Sequence, residues 1–252
     1  LDVFYSNFKD DQIKRGIELP LGFSAAALSN VTSATGLVTG GTFTGVKGVV
    51  RNDVFQRRAK LWSIGLNNAY STDDGLTLTG DVSWSLTKRN ELNVESYAGT
   101  GRNTVGATDS IGFTSGATGT VFRPTLNYGD FNLIRLTSPQ GWGGDQTAVN
   151  GDAIRNGQDG YYNNRLVRDE IWQFRGDVAK TIENSFLSSV QGGVNYTIRS
   201  KSLRPDEAFL GLVANTNGTT SVTVPDQFRL GTTNLSFLGL GPMISYDPLA
   251  LL

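Results

Sequence analysis

The sequence predicts an all-β protein: an antiparallel up-and-down transmembrane β-barrel, of which this chain supplies a fragment of about five strands with long extracellular loops. Apolar and polar residues alternate strictly in several segments, as in LTLTGDVSWSLT (76–87). The hairpins have very short turns at one end and long, Gly-rich connections at the other. The polar positions also carry charges, which a dry soluble core would accept only with well-formed partners.

The composition excludes most of the catalytic and metal sites that are common in enzymes. The 252 residues contain no Cys and no His, so disulfides, thiol catalysis, a Ser-His-Asp triad and imidazole metal sites are excluded. Lys and Arg number 22 against 23 Asp and Glu, and this balance gives no reason to expect nucleic acid as a partner. We therefore predict a protein that is not an enzyme and that needs no cofactor or metal ion.

Hydropathy is compatible with membrane-spanning strands. No stretch approaches the ~20 consecutive apolar residues of a membrane-spanning helix. A barrel strand needs only ~10 residues of alternating hydrophobicity, which fits a mean hydropathy of -0.21. The chain begins at Leu1 with no signal-peptide pattern, and we expect it to be part of a longer polypeptide.

Five segments alternate between apolar and polar residues as strands do. The last four of them are predicted to form two hairpins. The turn of the first hairpin is STDDG (71–75), in which Asp and Gly suit a tight turn. The second turn is predicted at Glu183-Asn184-Ser185. The predicted strands lie near residues 1–9, 60–70, 76–88, 171–182 and 190–201.

Three long connections separate these strands, at residues 10–50, 89–168 and 203–252, with little sustained periodicity. All of them fall at the same end of the hairpins. Soluble sandwiches have connections of mixed length at both ends, whereas outer-membrane barrels have short periplasmic turns and long extracellular loops. This asymmetry favours the barrel over a half-buried soluble sheet, which alternation alone would also fit.

The two faces of the predicted strands differ in the expected way. Trp62, Trp84 and Trp172 lie on the apolar parity, as expected for a lipid-facing surface with aromatic girdles. The opposite parity is polar and would face a water-filled lumen. Its predicted lumen-facing charged residues are Asp81, Arg175, Asp177, Arg199 and Lys201.

Several stretches resemble the barrel of TonB-dependent outer-membrane receptors of Gram-negative bacteria, particularly those with Gly-rich loops in alphaproteobacteria and their relatives. The resemblance covers roughly residues 1 to 205 and consists of a similar overall composition and several short similar stretches. The stretches are LDVFYSNFKDDQIKRGIELP, LVTGGTFTGVKGVVRND, LWSIGLNNAYSTDDGLTLTGDVSWSLTKRNE, ESYAGTGR and VQGGVNYTIRSKS.

The resemblance implies a 22-stranded barrel with an N-terminal plug domain, located in the bacterial outer membrane. It implies active transport of a scarce nutrient, such as an oligosaccharide or a ferric siderophore, without chemical change. This chain contains no segment resembling a plug. The implied partners are outer-membrane lipid, the remaining barrel strands and plug domain, the TonB complex through the missing N-terminal region, and a small-molecule substrate.

Four aromatic residues within the polar loops are candidate substrate-binding residues, because aromatic rings stack on sugar faces. They are Phe122, Trp142, Tyr161 and Tyr162. The alternative is that these rings pack the loops against themselves. Aspartates near Gly143-Gly144 leave calcium-binding turns open as well, although their spacing matches neither an EF-hand nor a nonapeptide repeat and favours solvated loops.

A different class of protein also fits the alternation. In a secreted or surface β-sheet adhesin or assembly protein, the apolar parity would pack against a second sheet. Under this alternative Trp62, Trp84 and Trp172 would lie beneath a neighbouring layer of the molecule.

Overall fold

The computed structural model describes residues 1–22, 25–183, 186–214 and 217–252. Within these ranges the chain is all-β with antiparallel sheets, which confirms that part of the predicted class. In chain order the strands are β1 Asp2–Glu18, β2 Ala27–Ala34, β3 Leu37–Val46, β4 Val49–Ser71, β5 Leu76–Gly99, β6 Asp109–Gly116, β7 Gly119–Pro124, β8 Arg135–Leu136, β9 Gln146–Thr147, β10 Ala153–Ile154, β11 Gly160–Thr181, β12 Ser189–Arg204, β13 Glu207–Leu210, β14 Arg229–Asn234 and β15 Pro242–Tyr246. Two 3-10 helices lie at Asp226–Phe228 and Ser236–Leu238.

The main sheet contains the five longest strands in the order β1-β4-β5-β11-β12, and β8 and β13 add short pairings to β5 and β11. A four-stranded sheet has the order β2-β3-β6-β7, and β9-β10 and β14-β15 form two-stranded sheets. No closed barrel is found among the described residues. No described helix is long and apolar enough to cross a membrane.

The predicted strands are too short and the predicted loops are not structureless. The strand predicted at 60–70 begins at Val49, and the one predicted at 171–182 begins at Gly160. In their described residues, the regions predicted as loops at 10–50, 89–168 and 203–252 contain ten further strands. The physical reason is visible at Val49 and Val50, which are consecutive and both fully buried. Where both faces of a strand are covered, the period of two disappears from the sequence.

Contacts divide the chain into two compact units. Unit 1 comprises Leu1–Asp11, Gln56–Glu91 and Asn164–Asp206, and unit 2 comprises Gln12–Phe55, Leu92–Asn163 and Glu207–Leu252. Unit 1 consists of long strand segments, and Glu91 is its only buried residue among the described ones. One polar buried residue does not make an apolar core, and unit 1 is therefore a single sheet layer.

The first short turn of unit 1 lies at residues 72–75, between β4 and β5. The Thr72 amide donates to the Leu76 carbonyl at 2.9 Å, and Gly75 adopts a φ of 82° that only glycine adopts without strain. A side chain at residue 75 would also meet Thr181 Cβ at 3.1 Å. The second predicted turn includes Asn184 and Ser185, which lie outside the described residues.

Unit 2 has its own apolar core, built largely from residues of the predicted loops. Ile134, Met243 and Ile244 are fully buried in it. Each such side chain contributes about 1.5–3 kcal/mol relative to full exposure. The Asn52 side chain adds a polar link, because its amide donates to the Ile244 carbonyl at 3.3 Å and its oxygen accepts the Tyr246 amide at 3.2 Å.

Candidate functional site

The apolar parity of unit 1 is exposed, and we call this surface the apolar face. Trp62 and Trp172 are exposed by 44% and 42%, and Val194 by 76%. No described layer covers these side chains. The larger exposed members of the face on β4, β5, β11 and β12 are Trp62, Ile64, Leu66, Tyr70, Leu78, Val82, Trp172, Phe174, Val178, Val190, Val194, Tyr196 and Ile198.

Register explains why these residues share one face. On β11 and β12, Trp172 lies opposite Ile198 and Phe174 opposite Tyr196. Because side chains alternate between faces, residues that are directly opposite each other point to the same side of the sheet. The pair Gly176 and Val194 continues the same row.

Aromatic rings form a row across the apolar face. Tyr5 and Trp62 have ring centroids 4.2 Å apart, and Trp84 and Trp172 have centroids 6.2 Å apart. The indole nitrogen of Trp84 donates to Glu170 Oε1 at 2.9 Å. Trp84 is half-buried among apolar side chains while its polar atom meets a carboxylate, and this arrangement is typical of a water–hydrocarbon boundary.

The height of the apolar face can be estimated on β11. Its apolar stretch from Trp172 to Val178 is bounded on the same parity by Glu170 and Lys180. At about 3.3 Å per residue, these charges are about 33 Å apart along the strand. A strand tilted by about 40° would project this length onto about 25 Å, which is the height of the apolar band of outer-membrane barrels.

The polar parity of unit 1 brings together Asp81, Arg175 and Asp177. Together with several uncharged polar side chains, they line a hollow of about 390 Å³. Arg175 donates through Nε to Asp177 Oδ2 at 2.6 Å, and the side chain of Asn67 donates to Asp81 Oδ2 at 3.4 Å. Glycine is favoured opposite this pair, because a Cβ on Gly193 would collide with Asp177 Oδ1 and come within 2.8 Å of the Gly176 carbonyl oxygen.

The other two predicted lumen-facing residues belong to a second group on the same face. Arg199 forms two hydrogen bonds with Asp169, at 2.9 Å through Nε and 2.5 Å through a terminal nitrogen. Lys201 lies directly opposite Asp169 in the register of β11 and β12. The structure thus gathers the five predicted residues into two groups on one face.

A third polar group of unit 1, centred on Glu91, was not predicted from the sequence. Arg57 Nε lies 2.8 Å from its carboxylate, Arg89 Nε lies 3.5 Å away, and a terminal nitrogen of Arg165 lies 3.9 Å away. Three guanidinium groups face one carboxylate that is 8% exposed. This part of the polar face is therefore positively charged.

The predicted loop aromatics lie in different parts of unit 2. Phe122 lies in β7 opposite Phe113 and packs against the core. Tyr161 contacts Phe209 with centroids 6.0 Å apart. Tyr162 is half-buried opposite Ala208.

Trp142 lies in a more polar setting. Its ring meets Tyr97 edge-on, with centroids 5.3 Å apart, and the Arg51 guanidinium lies 4.7 Å from the centroid of Tyr97. The Tyr97 hydroxyl donates to Glu95 Oε2 at 2.8 Å and accepts from Gln158 at 3.4 Å. Burial raises the pKa of Tyr97, so its hydroxyl remains a donor.

Arg51 connects three carboxylates in this region. It bonds to Asp53 at 2.8 Å, to Glu95 at 2.8 Å, and to Glu18. Burial raises the pKa of Asp53, an effect that the neighbouring Arg51 opposes. A hollow of about 600 Å³ is lined nearby by Glu18, Leu19, Pro20, Gln140 and Trp142. It combines an aromatic ring with a carboxylate and an amide, a donor and acceptor set that suits polyhydroxylated ligands.

A buried ion pair holds the loops of unit 2 together. Arg102 is fully buried, bonds to Asp159, and donates to the carbonyls of Gly157 at 2.7 Å and Thr220 at 3.2 Å. Asp159 also accepts the Leu212 amide at 2.8 Å. Burial raises the pKa of Asp159, and the Arg102 guanidinium opposes that rise. Segments distant in the sequence therefore meet at one charged pair.

Lys47 organises a second loop of unit 2. Its ammonium donates to the backbone carbonyl of Gly101 at 3.0 Å and to those of Asn103 and Val105. Burial lowers the pKa of Lys47 to about 8. Asn103 itself has a φ of 47°, so the loop turns tightly around the ammonium.

The Asp-rich loop residues have protein partners. Asp145 accepts from Arg155 at 2.6 Å and from the Asn156 amide at 3.0 Å, and the amide is the main reason for its lowered pKa. In the part of the chain that the structure describes, no group of three or more acidic side chains is arranged to hold a metal ion.

Comparisons with known proteins give no match: no family model, no curated protein and no solved structure is similar to the chain.

Proposed function

We propose that unit 1 is part of the wall of a TonB-dependent receptor barrel in the bacterial outer membrane, and that the protein transports a scarce nutrient. The observation that carries this proposal is the apolar face, which is exposed on adjacent strands of a single sheet layer. Large contiguous apolar surfaces are rare on monomeric soluble proteins and mark contact with another protein or with a membrane. The aromatic row and the charges that bound the face favour a membrane.

The opposite face supports a lumen. Charged groups such as Arg175 with Asp177 and Arg199 with Asp169 remain solvated on an open polar surface. In a dry interior each poorly paired charge would cost several kcal/mol. Alternation of a lipid-facing parity and a charged parity is the pattern of barrel strands that enclose water.

For substrate capture we propose the hollow beside Trp142 in unit 2. An oligosaccharide ring would stack on the indole while Glu18 and Gln140 accept and donate hydrogen bonds. A ferric siderophore is the other substrate class. Energy would come from the TonB complex, acting through regions of the receptor outside this chain.

Single-cysteine labelling tests the proposal directly, because the chain has no cysteine of its own. Cysteines are introduced one at a time at positions 172 to 178 of the full-length protein in lipid vesicles and labelled with a fluorophore. Lipid-borne quenchers should act at even positions, and water-soluble quenchers should act at odd positions.

Two outcomes would contradict the proposal. If the full-length protein is monodisperse in plain buffer, it is not a membrane protein. If even positions are protected from both quenchers, the apolar face is covered by protein, and the adhesin or assembly alternative takes its place.

A further inference from the structure

A group of basic side chains lies on the apolar face of unit 1, beyond the aromatic row, and we call it the basic belt. Each of the five long strands contributes to it. Its members are Lys9 of β1, Arg58 and Lys60 of β4, Lys88 of β5, Arg168 of β11 and Arg204 of β12. They line one open hollow of about 680 Å³, whose lining includes no acidic residue.

The members of the belt lie at the same end of the sheet, although neighbouring strands run in opposite directions. On β5 the cation Lys88 comes four residues after Trp84, and on β11 the cation Arg168 comes four residues before Trp172. On β4, Lys60 precedes Trp62 by two residues. At about 3.3 Å per residue, these cations are about 7 to 13 Å beyond the aromatic rings.

Acidic neighbours neutralise only part of the belt. Arg58 bonds to Asp11 at 2.6 Å, and Arg168 bonds to Glu170 at 2.8 Å. No ion pair with a described residue involves Lys9, Lys60, Lys88 or Arg204, so four positive charges remain. A protein that exposed these charges beside an apolar surface would attract an anion that also has an apolar part.

We propose that the basic belt binds the phosphate groups of membrane lipid headgroups. This rests on the proposed function, because it requires that the apolar face contacts lipid. Aromatic girdles lie at the headgroup level of a bilayer, and the charged groups next to them on the same surface then meet the headgroup phosphates. Lys and Arg are the usual partners of phosphate oxygens, and basic patches of this kind bind anionic headgroups.

Lipid retention tests this proposal. The full-length protein in neutral detergent is titrated with phosphatidic acid or with zwitterionic phosphatidylcholine, and bound lipid is counted by native mass spectrometry. The triple variant Lys60→Gln/Lys88→Gln/Arg204→Gln should bind phosphatidic acid about 100-fold more weakly, at about fivefold for each cation. Its binding of phosphatidylcholine should change far less.

Two single variants serve as matched controls. Lys201→Gln removes a cation near the same level of β12 on the polar face, and Lys180→Gln removes one at the opposite end of the apolar face. Both should retain phosphatidic acid as the unaltered protein does. An equal loss in either control would overturn the assignment to the belt.

The remaining outcomes separate this inference from the proposed function. If the triple variant retains phosphatidic acid fully, or if excess inorganic phosphate displaces the lipid completely, headgroup binding by the belt is wrong. The alternating quenching at positions 172 to 178 would then still stand by itself. If that alternation is absent from the unaltered protein, the proposed function fails and the belt proposal fails with it.

Discussion

An arginine at Gly176 tests whether the apolar face of unit 1 contacts hydrocarbon. Gly176 lies on that face between Phe174 and Val178, six residues from Glu170 and four from Lys180. It is therefore about 20 Å and 13 Å along the strand from the two bounding charges. An added Cβ meets nothing closer than a Val194 methyl carbon at 4.0 Å, so Gly176→Ala is an undistorted reference.

The expected cost follows from this depth. An arginine on the lipid face near the middle of the bilayer destabilises a barrel by about 2–4 kcal/mol, and the cost falls to about 0–1 kcal/mol near the interfaces. At about 1.36 kcal/mol per factor of ten, Gly176→Arg should lower the folding equilibrium constant about 30- to 900-fold relative to Gly176→Ala. A surface substitution facing water would change stability by less than about 0.5 kcal/mol.

The assay is equilibrium unfolding in guanidinium chloride of the full-length protein refolded into phospholipid vesicles, followed by tryptophan fluorescence. Gln173→Arg is the matched control, because residue 173 lies on the polar face of the same strand and pairs with Thr197 there. It should stay within about 0.5 kcal/mol of the unaltered protein. If Gly176→Arg and Gly176→Ala are equally stable while both fold, the apolar face does not contact lipid.

Three further predictions concern other contacts. Arg102→Ala leaves the Asp159 carboxylate buried without its cation and should lower the free energy of unfolding by about 3–5 kcal/mol in chemical denaturation, so that an unchanged midpoint would contradict the pairing. The Thr72 hydroxyl and the Lys180 ammonium lower the pKa of Asp74 to about 2 from 3.8, so its contribution to stability is present above 3.8 and is lost as the pH falls toward 2. Lys180→Gln should raise the carboxyl titration midpoint measured by NMR toward 3.8, and no movement would mean that the pair is not formed in solution. Trp142→Ala should weaken binding of the transported ligand about tenfold, whereas Trp142→Phe should retain most of it, and equal affinity of all three proteins by isothermal titration would exclude the ring from the site.

Some of the fold could be predicted because one face of the sheet differs chemically from the other. In β5 the segment from Leu76 to Leu86 alternates without exception, and the structure has a strand there. The same strand continues to Gly99, but Ser96, Tyr97 and Ala98 are consecutive buried residues. Burial of both faces removes the alternation, and for that reason the prediction ended the strand about ten residues early.

The candidate sites, too, could be predicted only in part. The parity of Arg175 and Asp177 was enough to place them on one polar face. The contact of Trp142 with Tyr97 and the pairing of Asn52 with Tyr246 join residues far apart in the chain, and no local period encodes them. The face on which each belt cation lies could be predicted, since Lys88 follows Trp84 at the same parity. That these cations form one group is visible only when the strands are aligned side by side.

The ammonium of Lys47 gives its loop an internal cation that is covalently attached to the chain. Loops that wrap backbone oxygens around calcium depend on the dissolved ion, so that its concentration decides whether they are ordered. Here the cation is attached through a side chain and is present at full occupancy whatever the surrounding salt. Burial lowers the pKa of Lys47 from 10.5 to about 8, so between these values the unfolded chain holds the proton more tightly than the folded one. Raising the pH from 8 toward 10.5 should therefore not destabilise the loop from Gly101 to Val105, which should also be indifferent to chelators.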